Sequence, residues 1–275
     1  MINRYTVIGQ PIAHSLSPVV HQLFGELTQR KVDYTRTEAQ PETFRQIVMD
    51  WQLSGAKGCN VTAPFKELAV EVCDRVVPNA RRAGSVNTIH IQRDGLRVGY
   101  NTDGAGLVAD IQSNKRRELA NKRILLLGAG GAARGVIAPL LATGPTLVHI
   151  ANRTESKAQA LADLFTDLGP TAASSYEALN TQEPFDIVIN ATAVSLEGGM
   201  PSLPDNIIGN EALAYDMTYA AGDTAFMSWS ASLGANISNG LGMLVEQAAE
   251  SFLIWEGVRP KTRMAYPRLQ ELLSS

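Results

Sequence analysis

The chain has 275 residues, 45% of them hydrophobic, with a formal charge of −3, two cysteines and four histidines. That length supports one large or two modest domains around a true core, without staples from metals or disulfides. The weak negative charge and the absence of a long basic run exclude nucleic acid and membrane surfaces as expected partners, and no apolar run has the length of a bilayer span.

Cys59 and Cys73 lack metal-ligand spacing, and His14, His21, His90 and His149 are scattered. No metal is expected, and two isolated thiols fit a reducing cytoplasm. The N-terminus reads directly as a strand, Tyr5 to Gly9, with no signal peptide before it. Ser17-Pro18 has the chemistry of an N-cap followed by proline at the first helical position, and the helix it opens runs to about Arg30. A strand over Asp33 to Thr37 follows, then a helix from near Pro41 to Leu53 and a strand from Gly58 to Thr62. Pro64 opens a helix through about Cys73, and Thr88–Gln92 with Gly95–Gly99 reads as a hairpin around Arg93-Asp94.

From about Gly104 the pattern changes. Ile124–Leu127 reads as a buried parallel strand, followed by a glycine-rich turn, Gly128-Ala129-Gly130-Gly131-Ala132, and a helix to about Thr143 with Pro139 inside it. Such a turn aims backbone N–H groups and the positive end of a helix at a pyrophosphate. The next strand, Thr146 to Ala151, ends in Asn152-Arg153-Thr154. A site for the unphosphorylated dinucleotide usually carries a carboxylate there, to bind the ribose hydroxyls; an arginine instead pairs with a 2′-phosphate. The segment therefore reads as an NADP(H) site. A helix over Glu155–Leu168, strands at Phe185–Asn190 and Ala212–Met217, a short helix near Asp223–Leu233, a strand around Asn236 and an amphipathic helix over Leu241–Trp255 complete the pattern. The fold class is α/β: an N-terminal open α/β substrate domain (1–103, with 241–275 returning to it) plus a Rossmann-type NADP-binding domain (104–240), with the active site expected in a cleft between them.

Several polar residues ask for a reason. Lys66 falls in the first turn of the helix opened by Pro64, where the helix dipole disfavours a cation, and Asp103 is a candidate partner that would favour it. Such a pair can shuttle a proton to a substrate hydroxyl. Lys66 reads equally well as a solvated lysine, and Asp103 as an N-cap for a helix over Gly104–Ile111. Ser15 and Ser17 are able to bind a carboxylate, although Ser17 serves as well as a plain cap. Gln247 lies on a largely apolar helix face, at a site for a polar ligand or at the surface.

Taken in order, Gly9-Gln10-Pro11-Ile12-Ala13-His14-Ser15-Leu16-Ser17-Pro18, Asn60–Lys66, Gly84–Thr88, Asn101–Gly104, Gly128–Arg134, Asn152–Thr154, Asn190–Thr192, Asp216–Tyr219 and Gly240–Ala248 resemble the shikimate dehydrogenase family over nearly the whole chain. The resemblance implies reversible NADPH-dependent reduction of 3-dehydroshikimate to shikimate, in the cytoplasm, on the route to chorismate and the aromatic amino acids. It implies Lys66 and Asp103 as the catalytic pair, and Ser15 and Ser17 on the substrate carboxylate with Tyr219 nearby. Asn60, Thr62, Asn87 and Gln247 would meet the ring hydroxyls. Ala129, Gly130, Gly131 and Ala132 would form the pyrophosphate turn, Asn152, Arg153, Thr154 and Lys157 the adenosine-phosphate pocket, and Met217 and Gly240 would lie by the nicotinamide. Departures are mild: Tyr100 stands where an acidic residue is frequent, Ala63 where a larger apolar one is, and Ala193-Val194 where serine or glycine is common. The alternatives are a quinate/shikimate dehydrogenase using NAD, against which Arg153 argues, a non-enzymatic NADP-binding regulator, which would not need Lys66 and Asp103, and a different dehydrogenase of related architecture. Monomer and homodimer both remain open.

Overall fold

The computed structural model describes residues 2–219 and 222–274. It divides into two compact units, residues 1–106 with 244–275, and residues 107–243.

The first unit is built on strands β1 (Asn3–Gly9), β2 (Val32–Glu38), β3 (Gly58–Val61), β4 (Arg75–Val76), β5 (Thr88–Ile91) and β6 (Arg97–Tyr100). Its helices are α1 (Ser17–Thr28), α2 (Phe44–Leu53), α3 (Leu68–Val72), α4 (Pro78–Ala83) and the start of α5 (Asp103–Ala109). The sheet order is β2-β1-β3-β5-β6-β4. β1 pairs in parallel with β2 on one side and β3 on the other, so the crossovers from β1 to β2 and from β2 to β3 run in opposite directions along the sheet. That reversal opens a crevice at the strands' carboxyl ends, Gly9 and Val61, where open α/β sheets bind ligands. The sheet is mixed, because β5 runs antiparallel to both β3 and β6. β1 alternates in the expected way: Tyr5 and Val7 enter a core with Tyr34 and Trp255, while Ile8 enters one with Phe44, Val48 and Phe65.

The second unit carries β7 (Arg123–Leu127), α6 (Gly131–Leu141), β8 (Leu147–Ala151), α7 (Glu155–Asp163), β9 (Thr171–Ser174), β10 (Phe185–Asn190), β11 (Ile208–Asp216), α8 (Ala225–Ser232) and β12 (Asn236–Ser238). Its sheet is wholly parallel, in the order β12-β11-β10-β7-β8-β9. Ile124 and Leu126 face the core of α6 and α7, and Leu125 and Leu127 face that of α8. Both faces are covered, which is why β7 reads as an unbroken apolar run. The last helices are α9 (Leu241–Glu256) and α10 (Tyr266–Ser274).

Some expected boundaries move. Leu16, not Ser17, is the N-cap of α1, and Ser17 is its first residue, with Pro18 following. The helix expected from Pro64 starts only at Leu68, because Phe65 turns inward to stack on Phe44, with ring centroids 5.0 Å apart. α7 stops at Asp163, and its tail tightens into turns (Phe165 N–H to Ala162 O, 3.1 Å) ahead of Gly169 and Pro170. No described helix is long and apolar enough to cross a membrane.

Candidate functional site

In the first unit the antiparallel pairings assemble the polar groups. Asn60 on β3 sits opposite Thr88 on β5, and Thr88 opposite Tyr100 on β6. The start of β5 thus lies between the ends of β3 and β6, with Asn87 before it and Asn101-Thr102-Asp103 after β6. Asn87 is the hub. Its Nδ2 donates to Asp103 Oδ1 (2.8 Å), Thr102 Oγ1 (2.9 Å) and Gln247 Oε1 (3.3 Å), and its Oδ1 accepts from the Thr102 N–H (2.8 Å) and the Thr88 hydroxyl (2.9 Å). The other oxygen of Asp103 meets Lys66 Nζ at 2.6 Å, with side chains only 16% (lysine) and 6% (aspartate) exposed. A pair this shielded is held by its hydrogen bonds rather than screened by solvent.

Lys66 directly precedes the N-cap of α3, Glu67, inside the turn closed by the Ala69 N–H to Phe65 O bond (2.8 Å). It therefore stands at the positive end of that short helix, and Asp103 is the group that favours its charge. Asp103 opens α5, but its carboxylate is spent on Lys66 and Asn87, while Asn101 Oδ1 accepts its N–H (3.1 Å). Gln247, half-buried on α9, turns Oε1 toward Asn87 and Thr102 (3.3 Å each) and donates Nε2 to Leu244 O (2.9 Å). Asn60 is fully engaged: Nδ2 with Asn87 O, Thr88 Oγ1 and Ser251 Oγ, and Oδ1 with the Tyr34 hydroxyl at 2.7 Å. Asn60 thus belongs to the same network as Asn87.

At the end of β1, Ser15 Oγ accepts the Ser17 N–H (3.3 Å), and Arg36 clamps Ser15 O with Nε and Nη2 (2.8 and 2.6 Å). Thr62 follows β3 beside Gly9, where a β-carbon on Gly9 would collide with the Thr62 methyl. Ser251 and Thr102 also belong to the network, beyond the residues that the sequence marks as candidates. Ser251 lies four residues after Gln247 on α9, and that helical spacing is the signal that places both on one face.

In the second unit the strand order reverses between β7 and β10. Gly128 leaves β7 at φ +105°, where a β-carbon would press on Ala191 and Thr192 just after β10, a conformation suited to glycine. Ala129 is buried, and Gly130 caps α6, with no neighbour where its β-carbon would stand. Gly131 and Ala132 begin the helix, so the turn leads straight into its N-terminal end. Asn152 folds back, donating Nδ2 to Thr154 O (2.9 Å), and Thr154 caps α7. Arg153 and Lys157 are exposed, and among the described residues neither is paired with a carboxylate. A glycine turn with open approach, a helix N-terminus and two cations free of acidic partners fit a phosphorylated dinucleotide. Gly240 N–H donates to Thr218 O (3.0 Å), and a β-carbon on Gly240 would lie 2.2 Å from Met217 O, so the two expected nicotinamide neighbours are in contact. Tyr219 follows, half-buried.

Models of known families match three stretches: the shikimate dehydrogenase substrate binding domain at residues 7–89, shikimate / quinate 5-dehydrogenase at 110–197, and the shikimate 5′-dehydrogenase C-terminal domain at 240–263. A shikimate dehydrogenase (NADP(+)) of Aeromonas hydrophila is 48% identical, over 100% of both chains. A crystal structure of an enzyme from Pseudomonas putida superposes with a TM-score of 0.90 at 43% identity, over 99% of this chain and 98% of that one. A shikimate 5-dehydrogenase of Thermus thermophilus, solved with NADP(H) and shikimate, gives a TM-score of 0.86 at 32% identity over 97% and 99%.

Proposed function

The chain belongs to the shikimate dehydrogenase family, and from that premise we propose how its own residues serve the reversible NADPH-dependent reduction of 3-dehydroshikimate to shikimate. The observation that carries the reading is the shielded Lys66–Asp103 pair at 2.6 Å, fixed by Asn87. NADPH, when bound, supplies the hydride for the ring carbonyl. The protein supplies position and a proton. Lys66 Nζ donates a proton to the carbonyl oxygen as it becomes a hydroxyl, and accepts it back in the reverse direction. Asp103 keeps the ammonium aimed, and Asn87 holds Asp103.

Ser15 and Ser17 take the substrate carboxylate, with Tyr219 completing that end. Asn60, Thr62, Asn87 and Gln247 read the ring hydroxyls. Ala129 to Ala132 hold the pyrophosphate on the N-terminus of α6; Asn152, Arg153, Thr154 and Lys157 hold the adenosine phosphate; Met217 and Gly240 flank the nicotinamide. Substrate binding is thus assigned to residues 1–103 with 241–275, and cofactor binding to 104–240. Two free thiols, Cys59 and Cys73, agree with action in the cytoplasm.

Steady-state kinetics of Lys66→Ala test the central role. Removing a positioned acid–base group should lower kcat by about 10²–10⁴-fold while the KM for shikimate changes little. A kcat equal to wild type would remove Lys66 from the chemistry. Arg153→Ala should lose kcat/KM with NADP while keeping that with NAD, because only the 2′-phosphate contact disappears. An equal loss with both would place the phosphate elsewhere.

A further inference from the structure

Asp216 ends β11 completely buried and carries four hydrogen bonds, none from a cation. Its Oδ2 accepts from Ser195 Oγ (2.7 Å), Thr224 Oγ1 (2.7 Å) and Asn190 Nδ2 (3.2 Å), and its Oδ1 accepts the Thr218 N–H (2.9 Å). These donors come from four places: the end of β10, the turn after it, the strand exit at Thr218 and the cap of α8. A buried carboxylate is costly unless it is so satisfied, and an amide of the same shape offers one acceptor oxygen where four donors converge.

The bonds stitch one small region. Asn190 Oδ1 accepts from the N–H (3.1 Å) and hydroxyl (2.7 Å) of Thr192, beside the Gly128 turn. Met217 N–H donates to Asn190 O (2.9 Å), and Gly240 N–H to Thr218 O (3.0 Å). Met217 and Tyr219 therefore leave the sheet on a path fixed at Asp216.

We infer that Asp216 is a positioning residue for the reduction, holding Met217 and Tyr219 in the geometry that aligns nicotinamide and substrate. This rests on the roles proposed above for those two residues. Hydride transfer demands close, aligned approach, so a small displacement there slows chemistry more than binding.

The test is Asp216→Asn in the full chain, read in two ways. In ligand-free protein, amide hydrogen exchange should quicken at Thr192, Thr218 and Gly240 while β7 and β8 stay protected. In the assay, kcat should fall about tenfold or more, with smaller changes in KM, and the deuterium isotope effect on kcat measured with 4-deuterated NADPH should rise. A loss of thermal stability with exchange, kcat and isotope effect as in wild type would make Asp216 merely structural and overturn the inference. If Asp216→Asn does not fold, Ser195→Ala removes one donor and should move the same readouts in the same direction; no movement overturns the inference. Met217→Ala and Tyr219→Phe run alongside. Wild-type kinetics in both would overturn the roles of those residues and the inference with them. Lost turnover in both, with turnover kept in Asp216→Asn, would sink the inference alone.

Discussion

His21 shows how one side chain ties acid stability to the core. It is fully buried, with its ring stacked on Tyr34 at 4.3 Å and edged by Phe24, and neither ring nitrogen has a protein partner. Burial holds its pKa down at about 3, and the Asn60 side chain opposes this only in part. His149, shielded on β8 with Arg123 adding repulsion, is lowered to about 4. Both folded values lie below the ordinary 6.5, so below that pH the unfolded chain binds protons that the folded one refuses. The stability from neutral His21 is complete above pH 6.5 and drains away as pH falls toward 3. At roughly 1.4 kcal/mol per unit, the loss between pH 6.5 and 5 is about 2 kcal/mol. Thermal melts of wild type and His21→Phe should show it: the variant's Tm should fall less between pH 7 and 5. Identical slopes would mean that His21 is not held neutral.

At the scale of elements, the site depends on how closely α5 approaches α9. A β-carbon on Gly106 would lie 2.6 Å from the backbone nitrogen of Gln247 and 2.9 Å from its Cα. Backbone cannot yield as a flexible side chain can, so Gly106→Ala must part the helices that carry Asp103 and Gln247. The expected cost is about 1–3 kcal/mol of stability, with kcat/KM for shikimate falling while NADPH affinity is kept. Unchanged melting and kinetics would show that the approach tolerates a methyl group. The elements were unevenly legible in the sequence. β7, β10 and the β5–β6 hairpin stand out because apolar runs and turn residues mark them. β4, β9 and α4 escaped, since Arg75-Val76 is two residues long, Thr171–Ser174 has no strong apolar side chain, and Pro78–Ala83 offers one and a half turns. The Lys66–Asp103 pair was readable as a candidate, but its hub was not. Asn87 joins Lys66, Asp103, Thr102 and Gln247 through an antiparallel register and a helix some 160 residues away, and no local period encodes that.

For the molecule as a whole, autonomy of folding depends on which stretches of chain close which cores. The cores around β7 draw on Leu107 through Met243, and so lie within one continuous stretch. The core around β1 does not. Tyr5, Val7 and Tyr34 pack with Trp255, whose ring stacks on Tyr5 at 4.5 Å, and Trp255 Nε1 donates to Ile89 O (3.1 Å). Asn60 and Thr88 likewise meet Ser251, at 3.1 and 2.8 Å. Removing α9 would therefore open one face of the first sheet and strip the hub of its bonds to Ser251 and Gln247, each lost hydrogen bond a destabilisation of about 0.5–1.5 kcal/mol. A unit with its own closed core is expected to fold alone. Residues 107–243 expressed by themselves should give a cooperative thermal transition and a titratable NADP+ site that Arg153→Ala weakens. Residues 1–106 should show no cooperative transition unless 244–275 is supplied, in trans or through a short linker. Circular dichroism melts of the fragments decide the matter. A cooperative melt of 1–106 alone would mean that the returning helices finish the active site but not the fold.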